Sequence, residues 1–255
     1  MIVIGSYVSP YARKAIVALA IKGIAHEVDP ITPFYGNDEF TRLSPLRRIP
    51  VLIDGDLVLN DSTVICEYLD EIRPDPPLMP QSPADRARAR WLEEYADSRL
   101  GDLMIWRLFY PRSVAPRVFG RQPDEAAIAR VIESDLPEAL DWIEAHAPAQ
   151  QFLFGLLCTA DIAYGAFFRN ALLAGWTTDP QRWPRTAAWI QRIWAVPEFA
   201  RTIAFEQAIV TTPFAERRAV LEALGANLSV RSWAQAEPRA SIMLKGIAET
   251  GRSDR

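Results

Sequence analysis

The sequence predicts two unlike parts: a small α/β domain over residues 1–76 and an all-helical bundle over residues 84–225. Three observations carry this. Short apolar runs alternate with helical spacing through the first part, in the order β-α-β-α-β-β-α. Five prolines (Pro74, Pro76, Pro77, Pro80 and Pro83) then fall within ten residues, which excludes regular helix or central strand and marks a linker. From Ala84 onward the apolar spacing is helical.

Each element has a local reason. Ile2-Val3-Ile4, ended by Gly5, is a short buried strand. Ser9-Pro10 supplies an N-cap and a proline for the first helical position, and the helix over Tyr11 to Lys22 stops at Gly23. His26 to Asp29 is a second strand, and the mixed stretch Pro30 to Pro45 holds a short helix at Asp38 to Leu43. Ile49 to Ile53 and Leu57 to Leu59 are two strands joined by the tight turn at Asp54-Gly55-Asp56. Asp61-Ser62 opens a helix with Val64, Ile65, Tyr68, Leu69 and Ile72 as its expected buried stripe. The second part is broken at Pro111, Pro123, Pro148, Pro180, Pro184, Pro197 and Pro213, giving five to seven helices rich in tryptophan. Beyond Gly225 the periodicity fades. Residues 226–255 form an extension without an assigned role, with a frayed end expected at Gly251 to Arg255.

Composition limits the function. Lys and Arg number 28 against 32 Asp and Glu, a net charge of −4, so there is no basic excess for a nucleic-acid partner. The chain is 49% hydrophobic over 255 residues, enough for a sizeable core and too apolar for general disorder. Two Cys and two His are too few for a dedicated structural zinc site, and no metal is expected. Both Cys lie in apolar stretches, which argues against a disulfide and fits a reducing cytoplasm. The N-terminus lacks a charged leader, and no long uncharged apolar window appears, so neither secretion nor a membrane partner is expected. The expected location is cytoplasmic.

Three short motifs each have a bland and a sharp reading. Pro50, between Ile49 and Val51, either starts an edge strand or forms a cis peptide that frees neighbouring backbone for a ligand. Asp61-Ser62 is either an ordinary helix start or a receptor for an amino-acid head group. In the second case Ser62 takes the carboxylate and Asp61 the ammonium. Ser9 is either a plain cap or a hydroxyl placed where the helix field favours an anion such as a thiolate. Trp106, Arg107, Phe109 and Tyr110 crowd one helix and cannot all face one core, so some are expected to line a cleft.

Together these residues resemble the glutathione S-transferase superfamily, over about residues 1 to 225. The most specific part is Arg48-Ile49-Pro50-Val51-Leu52 followed by Asp61-Ser62. A second match is Gly155 to Ile162, where the family has Ser or Thr three residues before the Asp and this chain has Cys158 before Asp161. The resemblance implies a thioredoxin-like N-terminal domain (βαβαββα) followed by an all-helical C-terminal bundle. It also implies reduced glutathione as co-substrate and pairing as a homodimer. Carried over residue by residue, it makes Ser9 the catalytic donor to the sulfur, with Tyr7 as the rival. Arg48, or else Arg47, would meet the glycine carboxylate. Ile49, Pro50 and Val51 would hold the cysteinyl unit, and Asp61 and Ser62 the γ-glutamyl group. Tyr11, Trp106, Phe109 and Tyr110 would line a pocket for a small apolar electrophile. The expected activity is thiol transfer to that electrophile. The alternatives are a non-catalytic binding protein, or peroxide reduction or ether cleavage by the same thiolate. A disulfide-exchange role is disfavoured because no Cys stands near Ser9.

Overall fold

The structure is a computed structural model that describes residues 1–239. The expected end at Gly251 to Arg255 lies outside the described residues. Strands β1 (Ile2–Ile4), β2 (Glu27–Asp29), β3 (Val51–Asp54) and β4 (Leu57–Asn60) form one sheet in the order β2-β1-β3-β4. β1 runs parallel to β2 and antiparallel to β3, and β3–β4 is the expected hairpin. Side chains alternate across the sheet as a strand's period of two requires. Val3, Val28 and Leu52 face the main core, whereas Ile4 and Val51 face a second cluster with Phe40 and Trp233.

Helices α1 (Pro10–Ile21), α2 (Asp38–Leu43) and α3 (Ser62–Ile72) complete this domain. Lys22 caps α1 and Gly23 takes a left-handed φ of 62°, the conformation glycine adopts at low cost. Two expectations shift. β3 begins at Val51, because Pro50 has no N–H for a ladder and sits just outside it. On α3 the buried stripe is Ser62, Ile65, Cys66 and Leu69, a clean i, i+3, i+4, i+7 set, while Val64 and Ile72 are exposed.

The proline-rich linker is ordered by one buried cation. Lys22 Nζ pairs with Asp70 (2.5 Å) and donates to the carbonyls of Arg73 (2.6 Å) and Pro76 (2.7 Å). Beyond it, α4 (Pro83–Tyr95) continues through a π-wound stretch, Ala96–Val114, into α5 (Ala115–Phe119). Next come α6 (Glu125–Arg130), running through Val131–Asp135 into α7 (Leu136–His146), then α8 (Thr159–Leu173), α9 (Pro184–Trp194), α10 (Pro197–Thr211) and α11 (Arg217–Ala223). Counting continuous runs, the described residues hold six helices in this domain.

α8 is the buried axis of the bundle, with every residue from Thr159 to Ala171 inside. Its N-cap is Cys158, and Asp161 makes up for that weak cap. The Asp161 carboxylate accepts the N–H groups of Cys158 (3.0 Å) and Leu153 (3.1 Å) and the Trp189 indole (2.8 Å). Cys158→Ser gives the cap a hydroxyl. It is expected to raise unfolding free energy by about 0.5–1 kcal/mol, read as a higher denaturant midpoint at unchanged slope.

After α11 the chain does not trail away. Val28 N–H donates to Asn227 O (2.9 Å) and Ser229 N–H donates to Val28 O (3.0 Å), so Leu228 pairs in parallel with the outer edge of β2. Trp233 is buried beneath the sheet.

Candidate glutathione site

Strand register brings the three motifs to one end of the sheet. Ile4 pairs with Val51 and Val51 pairs with Asn60, so the end of β1, the start of β3 and the end of β4 lie side by side. Pro50 and Asp61 are the next residues out. The Ile49–Pro50 peptide is cis. Gly5, the residue after β1, is the meeting point: a side-chain carbon there would stand 2.7 Å from Ala12 Cβ and 3.7 Å from Pro50 Cα. Only glycine lets the first turn of α1 approach the Pro50 corner this closely.

Two helices of ordinary length start at this corner, so two positive helix ends converge on it. Ser9 caps α1 in extended backbone (φ −72°, ψ 127°), and its Oγ accepts the Ala12 N–H at 3.3 Å. That bond uses a lone pair and leaves the hydroxyl proton to donate. Asp61 caps α3 with φ at 80°, a left-handed value that an L-residue holds only when its surroundings fix it. Here its Oδ1 fixes it, accepting from Thr63 N–H (2.8 Å) and Val64 N–H (3.3 Å). Ser62, the first residue of α3, is buried beside this cap.

α1 is clamped on both sides by the helical domain. Arg13 donates to Tyr7 O (2.6 Å) and pairs with Glu206 of α10, which also holds Arg169 of α8. All three side chains are buried. Lys14 Nζ contacts Glu93 (2.7 Å), Asp97 (2.7 Å) and Thr63 Oγ1 (3.0 Å), linking α1, α3 and α4 with its continuation. Burial works against the Lys14 charge, but Glu93 and Asp97 outweigh it and the ammonium pKa is pushed up. Asn170 Nδ2 donates to Val8 O (2.9 Å), so α8 also fixes the loop that leads to Ser9.

The remaining expected residues divide. Tyr7 turns inward, its ring 4.9 Å from Phe205 of α10, and burial pushes its phenol pKa upward. Arg47 has a φ of 50° and spends its guanidinium on Thr41, Pro33 O (3.1 Å) and Gly36 O (2.8 Å). Arg48 is exposed; burial pushes the Tyr11 phenol pKa up, Asp97 adds to the rise, and the Arg48 charge opposes it. Tyr11 leans across the domain boundary and donates to Asp97 O at 2.9 Å. Phe109 is buried in the main core, as its helix face dictates. Trp106 and Tyr110 pack toward the other domain: their rings lie 5.8 Å apart, and Tyr110, itself buried, stands 6.1 Å from Phe34. Phe34 and Tyr35 were not expected here. Their signal was an aromatic pair after Pro33 in a stretch without regular period.

A four-stranded mixed sheet whose helix-capped corner faces a helical bundle defines the two-domain glutathione-transferase architecture. Residues 3–77 match the family model of the glutathione S-transferase N-terminal domain, and the fold of the chain is that of solved glutathione S-transferases. Stringent starvation protein A homolog from Haemophilus ducreyi is 44% identical over 80 residues, 31% of this chain. The match spans 37% of that relative's length. A solved glutathione S-transferase from Rhodospirillum rubrum F11 superposes with a TM-score of 0.72 at 27% identity, covering 79% of this chain and 90% of that one. A maleylacetoacetate isomerase from Methylobacterium extorquens AM1, solved with malonate and GSH bound, gives a TM-score of 0.65 at 25% identity, covering 79% and 95%. Among the described residues no helix is long and apolar enough to cross a membrane, and no cluster of His, Cys, Asp or Glu is arranged to hold a metal ion.

Proposed function

We propose that the protein is a glutathione transferase: it binds reduced glutathione at the Ser9–Pro50–Ser62 corner, holds its thiol as thiolate and delivers it to an apolar electrophile. The observation that carries this reading is the convergence of two capped helix starts, at Ser9 and at Asp61-Ser62, on one sheet end.

The physical requirement is modest. A thiol with a pKa of about 8.5 is only a few per cent thiolate at neutral pH. Lowering that pKa by two units needs about 2.7 kcal/mol of preferential thiolate stabilisation. One hydroxyl hydrogen bond to charged sulfur plus a helix end is of that order. In this mechanism Ser9 donates and is never the nucleophile. Asp61 takes the γ-glutamyl ammonium through the carboxylate oxygen that does not cap α3, and Ser62 takes the α-carboxylate. Ile49 and Val51 present backbone to the cysteinyl unit, and Arg48 meets the glycine carboxylate. Arg48 is preferred because it is exposed, whereas Arg47 is buried. Trp106, Tyr110 and Phe34 supply the apolar wall opposite the sulfur, with Tyr11 at its base.

Calorimetric titration with reduced glutathione, in two buffers of different ionisation heat, tests the reading. Binding with net proton release supports thiolate formation. Absence of binding at millimolar glutathione removes the function. The alternative reading, a non-catalytic binding protein of the same fold, predicts binding without proton release or turnover. Ser62→Ala is expected to weaken glutathione about 5- to 50-fold with kcat little changed, since its carboxylate partner is present in ground and transition states alike. An unaltered affinity takes Ser62 out of the site.

A further inference from the structure

The chain segment after α11 returns to the N-terminal domain and supports both halves of the corner from behind. Trp233 is buried in one cluster with Ile4, Ile31, Phe40, Ile49 and Val51, which includes both residues that flank Pro50. Its backbone N–H donates to Asp29 Oδ2 (2.8 Å), and Ser232 Oγ donates to Asp29 Oδ1 (3.0 Å). The Asp29 carbonyl in turn accepts the Gly5 N–H (2.9 Å), at the head of the loop that carries Ser9. Trp233 O accepts the Asn37 N–H (2.8 Å), and Asn37 caps α2 through Phe40 N–H (2.9 Å). Further along, Gln235 N–H and Arg239 N–H donate to Tyr35 O and Phe34 O (2.7 Å each), the turn whose carbonyls hold Arg47.

We infer that residues 226–239 are a positioning strap for the glutathione corner, with Trp233 as its key side chain. The inference rests on the glutathione reading for its functional consequence, though not for its local one. No strap residue touches the ligand. The strap sets where Ile49, Val51 and the Gly5–Ser9 loop stand, and a displacement of about 1 Å there is enough to spoil a ligand's hydrogen-bond geometry. Filling the space behind Ile49 and Val51 is a requirement of shape and apolar volume, so phenylalanine is expected to substitute for most of it.

The test uses the full chain with Trp233→Ala, Trp233→Phe and Val230→Ala, the last at a side chain that is 96% exposed. Two quantities are read: glutathione affinity by calorimetry, and amide hydrogen exchange at residues 5–9 and 51–54 against that of α8. Trp233→Ala is expected to weaken glutathione about tenfold or more and to speed exchange at both segments, with α8 protection unchanged. Trp233→Phe is expected to recover most of the affinity, and Val230→Ala to behave as the parent. Parent-like affinity and exchange in Trp233→Ala overturn the strap. If the parent protein itself fails to bind glutathione, the glutathione reading falls and exchange alone decides the strap, unchanged rates at both segments overturning it. If Trp233→Ala does not fold, Ser232→Ala, which removes one of the two bonds to Asp29, carries the same comparison with the same outcomes.

Discussion

Ser9→Ala is expected to lower turnover roughly 10- to 100-fold while glutathione still binds, the loss of one charge-assisted hydrogen bond of about 1.5–3 kcal/mol. The sign of the pH effect follows from the same bond. In the proposed mechanism Ser9 Oγ stabilises the thiolate and not the thiol, so its removal is expected to raise the pKa of the bound thiol. The acidic limb of the pH–rate profile then moves up by about one to two units, and activity lost at neutral pH returns in alkaline buffer. A purely structural loss of the cap would lower the rate without moving that limb. The control is Tyr7→Phe, whose ring packs on Phe205. A larger kinetic effect from Tyr7→Phe than from Ser9→Ala would transfer the donor role to Tyr7.

The second large effect concerns the hold on α1. Glu206 lies fully buried between Arg13 and Arg169 and is the only carboxylate that pairs with either among the described residues. Glu206→Ala leaves two guanidinium groups in the interior without a counter-charge. Breaking a buried pair from one side costs about 3–5 kcal/mol, a large share of the 5–15 kcal/mol typical of folded proteins. The expected result is a sharp fall in the denaturant midpoint, or no soluble protein. Replacing all three residues by apolar side chains of matching volume is expected to cost far less, because desolvation offsets most of the attraction within such a cluster. A single Glu206→Ala loss under about 1 kcal/mol, measured with an unchanged denaturant slope, would show that water reaches the arginines and that the cluster is no lock.

The parts legible in the sequence were those with local causes. Ser9-Pro10 announces a helix start by itself, Asp54-Gly55 announces a hairpin, and Asp61-Ser62 announces the helix after it. Where two residues of one chemistry stood side by side, sequence could not choose. Arg47 and Arg48 are equivalent on paper. Arg47 turns inward because its φ of 50° aims it at carbonyls contributed by a turn eleven and fourteen positions earlier. The phase of α3 differs from its apolar pattern for a related reason: apolar residues at 64, 65, 68, 69 and 72 outline one stripe, but burial follows 62, 65, 66 and 69, two of them small. Phe109 and Tyr110 are neighbours that part company, since adjacent helical positions point to different faces. The role of Trp233 had no local signal at all. Its partners are Asp29, Asn37, Ile49 and Val51, and nothing between them and position 233 foretells the meeting.

That last separation has a consequence for how the molecule is made. Asn227 reaches His26 across 201 positions, and Trp233 reaches Asp29 across 204. A ribosome working at about 5–20 residues per second releases the N-terminal strands and helices many seconds before the segment that covers the β2 edge and fills the space behind Ile49 and Val51. Until then the nascent sheet carries an open edge and an apolar hollow, the two features most prone to pairing with another chain. The first domain synthesised is therefore the last one finished.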